Sequence, residues 1–211
     1  SLGRYRRLIS LFRETLANGI VIAAQTPVDA ERFRLLGANP AQTHVTGNIK
    51  FDFELPSDVP HAGRALRKLQ AAGRPVWVAA STHENEEAVL LAAHVLVRQQ
   101  HPQAMLFLVP RHPERFSEVA GLIEACGLTH VTRSSAAIAD PRTTVFLGDT
   151  MGELMTFYAA ADVAFVGGSL SAIGGHNLLE PASLGIPVIT GPYNENAADI
   201  LALMVACGAA R

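Results

Sequence analysis

Continuous apolar runs punctuate the second half of the chain: Val76-Trp77-Val78-Ala79-Ala80, Met105-Leu106-Phe107-Leu108-Val109, Thr144-Val145-Phe146-Leu147 and Val163-Ala164-Phe165-Val166. Runs without alternation mark strands buried on both faces. Between them apolar residues recur at helical spacing, which predicts helices over residues 61–73, 84–99, 113–126 and 152–161. His130-Val131-Thr132 and Ile186-Pro187-Val188-Ile189-Thr190 read as two further strands. Strands that alternate with helices in this way predict an α/β fold built on a Rossmann-like, doubly wound parallel sheet.

The first fifty residues repeat the theme in miniature. A basic amphipathic helix is expected over residues 4–17, with Arg4, Arg6, Arg7 and Arg13 on a solvated face. A strand follows over Gly19–Ala24, then a helix opened by Thr26 as N-cap with Pro27 behind it, then a strand and turn from His44 to Lys50. Two strands are too few for an independent sheet, so residues 1–51 read as the tail end of a second Rossmann-like domain. Residues 52–60, with Pro56, Asp58 and Pro60, read as a linker, and residues 61–211 as the main nucleotide-binding domain.

Composition narrows the function. A hydrophobic fraction of 49% with 6% aromatics is that of an aliphatic globular protein, and a net charge of -2 gives no basic surface for nucleic acid. Cys126 and Cys207 lack CxxC spacing and read as reduced core thiols. No apolar run reaches the length of a membrane span. The start lacks an initiator Met, and the chain is expected to be part of a longer protein.

Candidate chemistry gathers where strands end, because open α/β sheets bind ligands at the carboxyl edge. Ser81 and Thr82, ahead of Glu84, Glu86 and Glu87, either offer hydroxyls to a sugar or phosphate or simply start a helix whose dipole favours acids. Arg111, fixed behind Pro110, suits phosphate or carboxylate oxygens, and His112 beside it is ambiguous. At Met151-Gly152-Glu153 the glycine permits close backbone approach, so that main-chain groups could read a planar base, or it is simply one of the glycines common at helix starts.

The stretch after Val166 is the richest. Gly167-Gly168-Ser169 and Gly174-Gly175-His176 precede Asn177-Leu178-Leu179-Glu180-Pro181, and Gly191-Pro192-Tyr193-Asn194-Glu195-Asn196 closes the unit. An Asn amide with free backbone N–H groups suits phosphate, and a carboxylate one turn later can accept both hydroxyls of a ribose. A capping box from Asn177 to Glu180 is the alternative, which Pro181 makes less regular. Histidines show no HxxxH or HExxH spacing, so no metal site is expected.

Four separated motifs resemble the 3-deoxy-D-manno-octulosonic acid (Kdo) transferases of lipopolysaccharide synthesis. They are Gly47-Asn48-Ile49-Lys50-Phe51-Asp52, Val109-Pro110-Arg111-His112-Pro113, Gly148-Asp149-Thr150-Met151-Gly152-Glu153-Leu154, and the run from Gly167 to Pro181. The resemblance implies a GT-B glycosyltransferase with two facing Rossmann-like domains. It implies transfer of Kdo from CMP-Kdo to the 6′-hydroxyl of a lipid A precursor, without a metal ion or other cofactor, at the cytoplasmic face of a bacterial inner membrane.

By the same resemblance, Pro110, Arg111, Met151, Gly152, Glu153, Asn177, Leu178, Leu179 and Glu180 would hold CMP, and Lys50 would stabilise the charge of the transition state. The family's catalytic carboxylate, acceptor site and membrane-anchoring region belong to an upstream domain that this chain mostly lacks. The 211-residue chain is therefore expected to bind CMP weakly and to transfer nothing on its own. A GT-B enzyme using a UDP-sugar, or a non-catalytic nucleotide-binding module, are the competing readings.

Overall fold

The computed structural model describes residues 15–16, 19–48, 52 and 54–211, so the basic helix expected over residues 4–17 lies almost wholly outside the described residues, as does Lys50. The chain divides into two compact units, residues 1–54 and residues 55–211.

In the first unit β1 (Ile22–Ala24) runs parallel to β2 (Thr43–Val45), joined by α1 (Pro27–Leu35). The Thr26 hydroxyl accepts from Asp29 N at 3.1 Å, and Pro27 has no N–H to leave unsatisfied in the first turn. Ala24 and Ala30 are buried between the strands and the helix. This is a single βαβ crossover with two strands.

The second unit opens with α2 (Val59–Ala71), which starts two residues ahead of the expected His61 because Pro60 fits the first turn. Then come β3 (Val76–Thr82), α3 (Glu86–Gln100), β4 (Met105–Pro110), α4 (Phe116–Ala125), β5 (His130–Thr132) and β6 (Val145–Leu147). They are followed by α5 (Leu154–Ala159), β7 (Val163–Val166), α6 (Leu179–Ser183), β8 (Val188–Thr190) and α7 (Ala198–Ala206). The six strands of this unit form one parallel sheet in the order β5-β6-β4-β3-β7-β8. Beyond β8 the last residues run alongside it, with Thr190 N donating to Arg211 O.

Side chains alternate across the pleat into two cores. Val76, Val78 and Ala80 join Met105, Phe107, Phe146 and Val166 under α2, α5 and α7. Ala79, Leu106, Leu108, Val145 and Phe165 face α3 and α4. Both faces are thus covered, and the strands carry no polar side of their own. On the α3 face, buried His94 locks the layers. Trp77 Nε1 donates to its Nδ1 at 3.0 Å, and its Nε2 donates to Thr144 O at 3.0 Å. Trp only donates and a carbonyl only accepts, so the ring is the neutral Nε2–H tautomer. Burial pushes its pKa down to about 4.

The cysteines depart from expectation. Both are free and exposed rather than in the core, since Cys126 and Cys207 sit at the C-caps of α4 and α7, just past the last turn that packs.

β3 leads through α3 to β4 on one side and pairs with β7 on the other. The chain order therefore reverses at β3, and the carboxyl ends of β3 and β7 flank the crevice where ligands of such sheets lie.

Candidate functional site

A bulge opens the crevice. The pairing of β3 with β4 shifts register between Ala80 and Thr82, and Ser81 takes a left-handed conformation (φ 55°). Gly167 lies directly against this bulge, and a Cβ there would come within 2.5 Å of Ser81 O. The glycine is required for the two backbones to touch.

The next three residues present backbone N–H groups, the usual makings of a phosphate cradle. They are already occupied. Glu86, fully buried, accepts from Ser169 N at 2.9 Å and Leu170 N at 2.8 Å on one oxygen. Its other oxygen accepts from Gly168 N at 2.8 Å and His83 N at 2.9 Å. An internal carboxylate thus takes the place of an external anion. Its neighbour Glu87, also fully buried, accepts from the Thr82 hydroxyl at 3.0 Å and from Arg115 at 2.6 Å. The Thr82 hydroxyl is therefore committed to Glu87 rather than free for a sugar, and neither acid simply decorates a helix start.

The groups left facing the crevice come from three strand ends. Pro110 is buried at the end of β4, and Arg111 N is held by Thr82 O at 3.0 Å, which sends the exposed guanidinium outward. Among the described residues Arg111 forms no ion pair. Past β6, Met151 and Gly152 are exposed, Gly152 is left-handed (φ +83°), and a Cβ there would meet nothing within 4 Å. Glu153 is clamped by Arg133 at 2.6 Å and by the Thr150 hydroxyl at 2.5 Å, and the Arg133 hydrogen bonds hold its carboxyl below the ordinary value.

Beyond β7, the Asn177 amide donates to Glu180 Oε1 at 3.3 Å, and its oxygen accepts from Leu179 N at 3.2 Å. The residues meet side to side at the start of α6, and Glu180 does not reach back to a backbone N–H as a capping box requires. Leu178 is fully buried in the core and Leu179 packs against it, so only their main chains can face a ligand. Burial holds the Glu180 carboxyl above its usual range, against the pull of Asn177 and Arg111. Beneath it lies Tyr158, fully buried, whose hydroxyl has no partner among the described residues. Burial first, and Glu180 second, push its pKa up.

Three histidines complete the edge. His83 and His176 approach with Nε2 atoms 2.7 Å apart, and His112 meets His83 edge-on with centroids 5.0 Å apart. Sequence reasoning left His112 open and passed over His83, His176 and Arg133. Only proximity in the fold joins them.

Residues 1–53 match the family model described as 3-deoxy-D-manno-octulosonic-acid transferase (kdotransferase). The chain is 39% identical over 205 residues to the 3-deoxy-D-manno-octulosonic acid transferase of Haemophilus influenzae, covering 97% of this chain and 48% of the relative. It is 44% identical over 203 residues to that of Bordetella pertussis, covering 94% of this chain and 46% of the relative. The chain thus spans about half the length of these curated relatives. Among solved structures, the C-terminal CMP-Kdo binding domain of WaaA from Acinetobacter baumannii superposes with a TM-score of 0.65 and 36% identity, covering 70% of this chain and 77% of that one. The α/β, parallel-sheet fold and the sequence matches together make this chain a member of the 3-deoxy-D-manno-octulosonic acid transferase family.

Proposed function

We propose that residues 55–211 bind CMP-Kdo, and that the full-length protein transfers Kdo from it to a hydroxyl of a lipid A precursor at the cytoplasmic face of the inner membrane. The observation that carries this reading is the convergence of Arg111, the open Gly152 turn and the Asn177–Glu180 pair on one sheet edge, in a chain 36% identical to a CMP-Kdo binding domain.

Each group has a chemical task under this reading. The Gly152 main chain lies open to a base, Glu180 can accept from ribose hydroxyls, and Arg111 can bridge phosphate oxygens. In the transfer, the bond from the Kdo anomeric carbon to the CMP phosphate oxygen breaks. The acceptor oxygen bonds to that carbon, and its proton passes to a base that we assign to none of these 211 residues. Charge builds on the departing phosphate, where fixed cations lower the barrier. Arg111 supplies one as a side chain; Lys50, the transition-state cation that the resemblance implies, lies outside the described residues, and the reaction is taken to need no metal ion. Among the described residues no helix is long and apolar enough to cross a membrane, and contact with the lipid acceptor is assigned to the relatives' full length.

Calorimetric titration of the chain with CMP, UMP and UDP tests the reading. Preference for CMP, weakened about tenfold or more by Arg111→Ala and by Glu180→Ala, is the expected outcome. Preference for UDP would move the chain's donor to another sugar nucleotide.

A further inference from the structure

His83 and His176 belong to no group assigned above. They come from segments far apart in sequence, one after β3 and one after the glycine turn, and meet at the reversal point of the sheet. Their ring planes are within 9° of parallel and their Nε2 atoms are 2.7 Å apart. Two imidazole nitrogens at that distance share one proton, one ring donating and the other accepting. Both rings are partly exposed, so the pair is not sealed into the core.

The surroundings are cationic on the open side. Arg111 and His112 act on both rings from the segment after β4. From α3, Glu86 acts on both rings and Glu87 on His83. Those acids lie beneath and are fully buried, with Glu86 taken up by four backbone N–H groups and Glu87 by Arg115 and Thr82. Burial first, and then the neighbouring imidazoles and Arg111, hold both histidines below the ordinary imidazole value. Glu86 is taken up on both oxygens, and the charge of Glu87 is paired with Arg115 through Oε1, although its buried Oε2 has no partner among the described residues. An anion arriving from the crevice would balance a second proton on the pair.

We propose that His83 and His176, with Arg111, form an anion subsite that receives an acidic group of the donor, the imidazole pair taking up a proton as the anion arrives and donating to it. The proposal rests on the donor reading above and extends it. CMP-Kdo offers two such groups, the phosphate and the sugar carboxylate, and both are served by the same chemistry. Arg111 supplies permanent charge, whereas the histidines supply charge only when the ligand is present. An empty site of this kind repels less of its own surroundings than three fixed cations would.

The test follows the imidazole resonances of the intact chain through a pH titration by NMR, alone and with CMP, cytidine, free Kdo or inorganic phosphate. Affinity alone is an ambiguous readout, because the phosphate of CMP itself takes up a proton near about pH 6. The expected result is a midpoint for His83 or His176 higher by about one pH unit with CMP or phosphate, and no change with cytidine. A shift with free Kdo and none with phosphate assigns the subsite to the carboxylate, and the reverse assigns it to the phosphate. His176→Gln should abolish the shift at His83 while CMP still binds through the Gly152 turn. Midpoints unmoved by every anion overturn the subsite, whether or not CMP binds. CMP binding with unmoved histidines leaves the donor reading standing and removes only this extension.

Discussion

The turn after β7 and the turn before α5 both carry glycine at the carboxyl edge of one sheet, yet a methyl group added to each would meet different surroundings. At Gly167 it would come within 2.5 Å of Ser81 O. At Gly152 it would meet nothing within 4 Å. The first turn uses glycine to bring its own backbones together, and its N–H groups end on Glu86. The second uses glycine for a left-handed bend and leaves its surface open. A glycine-rich run signals internal packing as readily as it signals a ligand. The destination of the N–H groups separates the two cases.

The contrast breaks most sharply at Glu86. Glu86→Gln keeps the shape but sets an NH2 group against backbone donors that now share a carboxylate. A buried donor left without an acceptor costs roughly 1–3 kcal/mol, and two such donors meet each oxygen. A loss of about 4 kcal/mol in urea-induced unfolding is expected. A loss below about 1 kcal/mol would mean that the closed turn is not held from within.

Acid should reach the same closed side through the helix that carries Glu86. His94 lies two turns along α3 and is neutral in the fold, with its pKa lowered from 6.5 to about 4. The unfolded chain takes up this proton near 6.5 and the folded chain only near 4, so the stability is fully present above the higher value and is lost as pH falls towards the lower. That amounts to about 3 kcal/mol over the window. Unfolding midpoints at about pH 7 and about pH 4.5 measure it, and His94→Gln should flatten the difference. An equal acid loss in that variant would assign the effect to other groups.

The sheet was legible because buried parallel strands write themselves as continuous apolar runs, and Val76–Ala80, Met105–Val109 and Val163–Val166 each became a strand. Glu86 and Glu87 were harder to read. As acids in a first turn they look solvated, although they precede Leu90, Leu91 and His94 at helical spacing and so fall on the buried face. That spacing was the available signal. Cys126 and Cys207 failed in the opposite sense, since apolar neighbours do not bury a residue at the C-cap where the packed face ends. For the proposed site, the places of Arg111, Gly152 and Glu180 at strand ends and turns were readable from the local pattern. The Arg133 clamp on Glu153 and the meeting of His83 with His176 depend on contacts across 20 and 93 positions, which no local pattern encodes.

The smallest perturbation gives the sharpest version of the comparison, because one methyl group can be placed on each turn. Gly167→Ala should cost about 2–3 kcal/mol in urea unfolding, since the bulge and the turn must separate to admit it. Gly152→Ala should cost only about 1 kcal/mol, the penalty of a left-handed bend with a side chain, because no atom stands in the way. Binding should rank them in the reverse order. If the open turn carries the base of the donor, the Gly152 methyl group occupies that surface and should weaken CMP about tenfold. Gly167→Ala, once folded, should bind CMP nearly as before, because its turn presents Glu86-bound N–H groups rather than free ones. Calorimetry on both folded variants decides the matter. A Gly152→Ala chain that binds CMP with unchanged affinity would mean that an open turn at a sheet edge is bare surface, and would shift the donor site towards the glycine run after β7.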